Sequence, residues 1–330
     1  MKKAKFYEYD SRRKPMLSAL DQDGKLYNLL EKSPSRGVYF CPGCQTAVRL
    51  KAGKIMRPHF AHVNLESCDF YNENESAEHL NLKAGLFNSL ASTEQVVVEQ
   101  VLPDLNQIAD LMVNSKLALE VQCSRLSEER LRERTHTYHQ AGYQVRWLLG
   151  KKLWLAGRLT SLHKQFLYFS RNMGFHLWEL DAEYGLLRLK YLIYEDLRGQ
   201  VHYLEETCSF DGDIYAFLRK PYQAQSLKSY QVASDKGIVT YIQKQLAYGN
   251  AYWLARQEEA YLSGGNLLAQ AVDDFYPQVR PPASKDGYCQ IQQDLSAFGA
   301  AYFSYYQKQK DKSRQILYPP AFYDRIEEKT

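Results

Sequence analysis

The 330-residue chain contains no apolar run of about 18 residues, the length a helix needs to cross a bilayer, so no membrane span is expected. Its opening stretch, Met-Lys-Lys-Ala-Lys-Phe-Tyr-Glu-Tyr-Asp, has no apolar centre and is not read as a secretory signal. Cysteine is scarce. Of six in the chain, three fall between residues 41 and 68, while Cys123, Cys208 and Cys289 are scattered. That pattern excludes a disulfide framework and points to a reducing, cytoplasmic location. An excess of one charge sign is also missing: 42 Lys and Arg face 38 Asp and Glu, a net +4. Such a balance permits contact with nucleic acid without suggesting it. No internal repeat is apparent, which sets aside repeat architectures. The length exceeds one ordinary core and suits two or three domains.

What is present is a pair of apolar runs that each carry an acid. Gln107-Ile108-Ala109-Asp110-Leu111-Met112-Val113 and Leu117-Ala118-Leu119-Glu120-Val121-Gln122-Cys123 both read as strands, joined by a turn at Asn114-Ser115-Lys116. Burying a carboxylate in such a strand is costly unless it is paired or binds a metal. Alternation along the strand sends Glu120 and Gln122 to the same face. With Asp110 on that side, two carboxylates and an amide converge. That oxygen-rich set suits a divalent ion such as Mg2+. Taken singly, either acid could be an edge residue or the exposed face of a half-buried strand.

The flanking sequence sets these strands in an order. A helix is predicted from Ser76, with acidic residues near its positive end and Leu80, Ala84 and Phe87 as its apolar stripe. Residues 94–102 read as a strand, followed by a turn at Pro103-Asp104. Ser127 caps a second helix that ends near Gly142, and residues 143–149 form a last strand. Helix, three strands, helix, strand: this order resembles the restriction-endonuclease-like, PD-(D/E)xK nuclease core. Between residues 38 and 150 lie Cys-Pro-x-Cys, His-Phe-Ala-His, Ala77-Glu78-His79-Leu80, Ala-Asp, Glu-Val-Gln-Cys-Ser and Gly-Tyr-x-Val-x-Trp. Together they resemble the CoiA-like family of competence proteins.

The resemblance implies a nuclease acting on internalised DNA at the recombination stage of natural transformation. It implies catalytic roles for Glu78 from the first helix, Asp110 from the second strand, and Glu120 and Gln122 from the third. Glu78, Asp110 and Glu120 would hold a catalytic Mg2+. Gln122 stands where the family pattern usually has Lys. An amide can hold a water but carries no charge to help ionise it. Lys83, near the helical glutamate, is the candidate for the missing cation. His79 is read either as an assistant at the site or as a helix residue bonded to a neighbour. Arg130 and Arg134, one helical turn apart, could hold phosphate oxygens or form a solvated face.

A second cluster lies upstream. Cys41, Cys44, His59, His62 and Cys68 offer five candidates for the four positions of a structural Zn2+. The His-x2-His spacing is shorter than in DNA-reading fingers, so no groove-reading helix is inferred. The competing expectations are a redox Cys-x-x-Cys, which lacks a thioredoxin-like setting here, and simple buried cysteines. Residues 1–57 hold 13 Lys and Arg against 5 Asp and Glu, whereas residues 58–99 hold 1 against 7. The basic arm, which begins with Lys2, Lys3 and Lys5, could contact phosphates or be solvated surface. Asp21-Gln22-Asp23-Gly24 predicts a hairpin.

Beyond Lys151 the composition changes, and 19 of the 26 tyrosines lie there. Residues 175–180, 186–194 and 201–204 suggest a small antiparallel sheet, and the pattern after Asp213 is mostly helical. Tyr302, Phe303, Tyr305 and Tyr306, beside Lys308 and Lys310, are candidates for stacking on single-stranded bases. Helix-on-helix packing is the competing expectation. The fold expected is α+β and multidomain. It comprises an N-terminal zinc-finger-like β module over 1–70, the αβββαβ restriction-endonuclease-like core over 71–152, and a mainly helical region with a small antiparallel sheet over 153–330. The function expected is Mg2+-dependent DNA cleavage, with DNA, including single strands, as partner and recombination proteins as further candidates. The alternative is a nuclease-fold protein that binds DNA or a recombinase without cutting.

Overall fold

The structure, a computed structural model, describes residues 15–32, 37–53, 56–63, 68 and 76–327. Lys2, Lys3 and Lys5 of the expected basic arm lie outside them. The chain forms two compact units. The first holds the described residues up to Trp154 together with Trp178–Arg188 and Thr207–Leu218; the second holds Leu155–Leu177, Leu189–Glu206 and the described residues from Arg219 onward.

The first unit opens with six short strands: β1 (Pro15–Met16), β2 (Ser18–Leu20), β3 (Leu26–Asn28), β4 (Tyr39–Phe40), β5 (Ala47–Lys51) and β6 (His59–His62). They form one sheet in the order β1-β6-β5-β4-β2-β3. The hairpin expected near residue 21 joins β2 to β3. Asp21 Oδ1 accepts from the amides of Asp23 and Lys25, and Gly24 takes the positive φ (+75°) that the turn needs. Met16, Ala19, Tyr39, Val48 and Phe60 pack beneath this sheet.

Next come α1 (Ala77–Leu90), β7 (Val96–Leu102), β8 (Gln107–Val113), β9 (Leu117–Gln122), α2 (Glu128–Gln140) and β10 (Gln144–Leu149). This is the helix, three strands, helix, strand order expected. Each helix begins at its cap: Ser76 Oγ accepts from His79 N, and Ser127 Oγ from Arg130 N. Asn114 and Ser115 both take left-handed φ (50° and 53°) in the three-residue connection 114–116, and Lys116 N donates to Val113 O at 3.1 Å. β9 and β10 run parallel, with Trp147 beside Glu120. On its other side β10 pairs, also in parallel, with residues 178–179. The sheet begun by β7 therefore continues beyond residue 152.

Later elements are α3 (Ser161–Gln165), β11 (Tyr168–Ser170), β12 (Gly174–Asp181), β13 (Leu186–Asp196), β14 (Val201–Ser209), α4 (Ile214–Arg219), β15 (Tyr230–Ala233), α5 (Ile238–Ala247), α6 (Ala251–Leu262), β16 (Val279–Arg280), α7 (Ser296–Gln307), β17 (Arg314–Leu317) and α8 (Pro320–Glu327). Within the second unit β11 pairs with β12, β13 with β16 and β15 with β17, all antiparallel. Tyr302 and Tyr306 on α7 are fully buried. Their hydroxyls donate to Val279 O at 2.5 Å and Ile316 O at 2.6 Å. These two rings are core, so they cannot serve as the stacking platform considered above. Phe303 of that group is exposed.

Candidate functional site

The ladder between β8 and β9 pairs Leu111 with Leu119. Beyond that pair the strands carry Asp110 and Glu120, and the Asp110 charge acts on the Glu120 carboxyl. The β7–β8 ladder, with Val98 beside Leu111 and Gln100 beside Ala109, sets Glu99 opposite Asp110 on the other side. Three adjacent strands thus carry one acid each. All three are buried, which requires partners.

Each acid has them. Asp110 Oδ2 accepts from Val121 N at 2.9 Å and lies 3.1 Å from His79 Nε2. Asp110 Oδ1 is 3.6 Å from the Lys83 ammonium. Lys83, fully buried, donates to Glu99 Oε1 at 2.7 Å. Glu99 also accepts from Leu17 N, Ser18 N and Ser18 Oγ. Glu120 Oε1 accepts from Tyr138 Oη at 2.5 Å, and Oε2 from Arg134 at 2.8 Å.

Two helices aim these partners. His79 and Lys83 are one turn apart on the buried side of α1. Arg134 and Tyr138 are one turn apart on α2, where Thr135 accepts from Trp147 Nε1 at 3.0 Å. The Arg134 guanidinium rests 4.9 Å above the Trp147 ring. Burial pushes the Glu120 carboxyl up to about 7; Arg134 opposes that rise, Asp110 adds to it, and Tyr138 opposes it. Burial and the Glu120 charge push the Tyr138 phenol far above its usual range.

Of the residues singled out from sequence, Asp110, Glu120, Lys83 and His79 share this region. Gln122 sends Nε2 to Ser124 O at 2.9 Å. Glu78 is anchored at the end of β10, where its Oε1 accepts from Lys151 N at 3.0 Å. A Cβ on Gly150 would come within 3.1 Å of that oxygen and 2.7 Å of Cys123 Sγ, so a larger residue there would have to push these side chains aside. Arg134 neutralises Glu120. Glu99 and Tyr138 were not singled out. Glu99 carries the same signal as Asp110, an acid inside an apolar strand; Tyr138 lies one helical turn from Arg134.

The upstream cluster assembles from Cys41, Cys44, His62 and Cys68, whose ligand atoms all lie within 4.8 Å of one another. Among the described residues no set formed by Glu78, Asp110 and Glu120 is gathered so closely. His59 stays out. Strand alternation turns it to the face opposite His62, and its Nδ1 lies 2.9 Å from Arg57 O. Burial raises the Cys41 thiol. Burial also acts to raise Cys44, but hydrogen bonds from Thr46, Cys41 and Cys68 outweigh it and lower that thiol. Three thiols and one imidazole are the donors of a tetrahedral structural site, and these four residues can hold a metal ion such as zinc.

Residues 24–71 match the family model for the N-terminal domain of competence protein CoiA, and residues 75–209 match the model for its nuclease-like domain. A competence protein CoiA from Bacillus subtilis (strain 168) is 34% identical over 116 residues. That alignment takes in 34% of this chain and 31% of the relative, so the chain aligns with about a third of the relative's length. No solved structure matches. Among the described residues, no helix is long and apolar enough to cross a membrane. This chain belongs to the CoiA family of competence proteins and carries the family's nuclease-like domain.

Proposed function

We propose that this protein cuts DNA during competence as a metal-dependent nuclease whose acid pair is Asp110 and Glu120. The observation that carries this reading is the Lys83 ammonium, 3.6 Å from Asp110 Oδ1. An acid and a lysine are thereby together, with Glu120 on the neighbouring strand, although position 122 is glutamine. The lysine comes from α1 instead of β9.

The donor chemistry fits Mg2+, which commonly takes one or two carboxylates and fills its other positions with water and phosphate oxygens. The charge fits as well. Burial, with Asp110 adding to it, keeps Glu120 near 7 even with Arg134 against it, and a cation bound there would favour the ionised form. Asp110 and Glu120 would hold the ion, which when bound polarises the scissile phosphate and helps ionise a water. His79 and Val121 N fix the rotation of the Asp110 carboxylate. Lys83 places its Nζ 3.6 Å from Asp110 Oδ1. Arg134, with a side chain 20% exposed, is within reach of solvent. A phosphate could draw it from Glu120 and uncover that acid. The substrate we propose is internalised DNA at the recombination stage of transformation, in the cytoplasm and alongside recombination proteins.

A second reading has an observation of its own. Both Glu120 oxygens already accept protein hydrogen bonds. A nuclease-fold protein that binds DNA or a recombinase without cutting would need nothing more. Mn2+ binding followed by electron paramagnetic resonance separates the two. The nuclease reading expects binding by the wild-type protein and a loss of roughly tenfold or more in Asp110→Asn and in Glu120→Gln. Equal binding by all three proteins would remove the ion from this site.

A further inference from the structure

Glu99 differs from the other two acids. It sits in the middle of β7 at φ 53°, a left-handed conformation that a non-glycine residue keeps only where its surroundings hold it. Both carboxylate oxygens lie 2.9 Å from Leu17 N; Oε2 also accepts from Ser18 N at 3.0 Å and Ser18 Oγ at 2.9 Å. Oε1 accepts from Lys83 Nζ at 2.7 Å. Leu17 and Ser18 lie where β1 gives way to β2. β1 pairs directly with β6, the strand that carries His62. A single buried carboxylate therefore joins the sheet of the Cys/His cluster to the ammonium beside Asp110.

We propose that Glu99 is a positioning residue that makes the placement of Lys83 depend on the docked N-terminal sheet. Lys83 is shared between two acids, held at 2.7 Å by Glu99 and at 3.6 Å from Asp110. With Leu17 and Ser18 in place, the negative charge of Glu99 is spread over three further donors. Its pull on Lys83 is correspondingly weaker, and the ammonium stays within reach of Asp110. When those donors leave, Glu99 draws the ammonium toward itself and away from Asp110. This rests on the nuclease reading only for what Lys83 does at Asp110. Where Lys83 is held is a separate matter, measurable without activity.

The test uses the full chain and nuclear magnetic resonance of two kinds of group: the amides of Leu17 and Ser18, and the Lys83 ammonium. Glu99→Gln removes the charge at constant shape. It should speed exchange of the Leu17 and Ser18 amides by roughly tenfold or more, while the β10 amides stay protected. Ser18→Ala removes a donor from Glu99 without touching Lys83, and it should shift the Lys83 ammonium resonance. Ser18→Thr keeps a hydroxyl and should restore the wild-type position. A purely structural Ser18 would leave that resonance unmoved. Unchanged Leu17 and Ser18 exchange in Glu99→Gln overturns the proposal, and so does an unmoved Lys83 resonance in Ser18→Ala. Should Ser18→Ala lose the protection of β2 altogether, Glu99→Gln alone decides. Absence of DNA cleavage would count against the nuclease reading and leave these outcomes standing.

Discussion

Asp110 on β8 and Glu120 on the neighbouring β9 are both buried, and the charge of Asp110 acts on the Glu120 carboxyl. Like charges so placed disfavour joint ionisation. The structure answers with Lys83 and His79 on one acid and Arg134 and Tyr138 on the other.

The cost left over should appear in the pH dependence of stability. Glu120 ionises near 7 in the folded protein against an ordinary 4.5. The folded state then holds the proton more tightly. The stability this group contributes is complete below about pH 4.5 and is lost as pH rises through about 7, on the order of 3 kcal/mol in all. Glu120→Gln removes that slope. Urea denaturation from about pH 5 to pH 8 should show the variant gaining on wild type as pH rises. Parallel profiles would contradict the assignment.

Lysine position is open to a swap. Lys83→Met should abolish Mg2+-dependent cleavage. Gln122→Lys, which places a cation at the third-strand position, should keep or raise it. The double variant should recover part of what Lys83→Met loses, measured as cleavage rate on a labelled DNA. No recovery would mean that Lys83 acts from α1 in a way that position 122 cannot replace.

The Cys/His cluster separates its members sharply. Structural zinc supplies about 10–16 kcal/mol in small finger peptides. Cys41→Ser and Cys44→Ser should therefore lose the metal and unfold the N-terminal sheet. His59→Ala should retain it, because His59 faces away from the other ligands. Metal analysis of the purified proteins checks both, and no zinc in reduced wild type would count against the site.

Gly150 is a steric prediction. A methyl group there would meet Cys123 Sγ at 2.7 Å and Glu78 Oε1 at 3.1 Å. Gly150→Ala should cost about 1–3 kcal/mol, read from urea denaturation, and should loosen Glu78 from Lys151 N. An unchanged midpoint would show that Cys123 and Glu78 move aside freely.

How much of this was legible in the sequence varied with the residue. α1, α2 and the β8–β9 pair carry local marks: Ser76 and Ser127 at the caps, and Asn114-Ser115 at the turn. Asp110 and Glu120 were legible because an acid in an apolar strand needs a reason. Glu99 carries that mark too, but what buries it is Leu17 and Ser18, more than eighty residues away. A local pattern cannot show such a partner. His59 became separable from His62 once residues 59–62 formed a strand, since three steps along a strand reverse the face. The helix bearing Tyr302 and Tyr306 was legible from its period. Which face it buries depends on Val279, Ile316 and Tyr323, which only the folded chain brings near. The pairing of β10 with β12 likewise has no local mark.

Cleavage by the purified protein separates a nuclease at Asp110 and Glu120 from a protein that only binds. Wild type, Asp110→Ala and Glu120→Ala are incubated with single- and double-stranded DNA in Mg2+, Mn2+ or chelator. Ion-dependent cleavage by wild type is expected, lower by several powers of ten in both variants if the ion generates the nucleophile. DNA binding without metal should persist or tighten in the variants, because a charge that repels phosphate is gone. If wild type leaves both substrates intact under every condition, the protein is a nuclease-fold binder. If Asp110→Ala cuts as well as wild type, the activity does not arise at the Asp110–Glu120 pair.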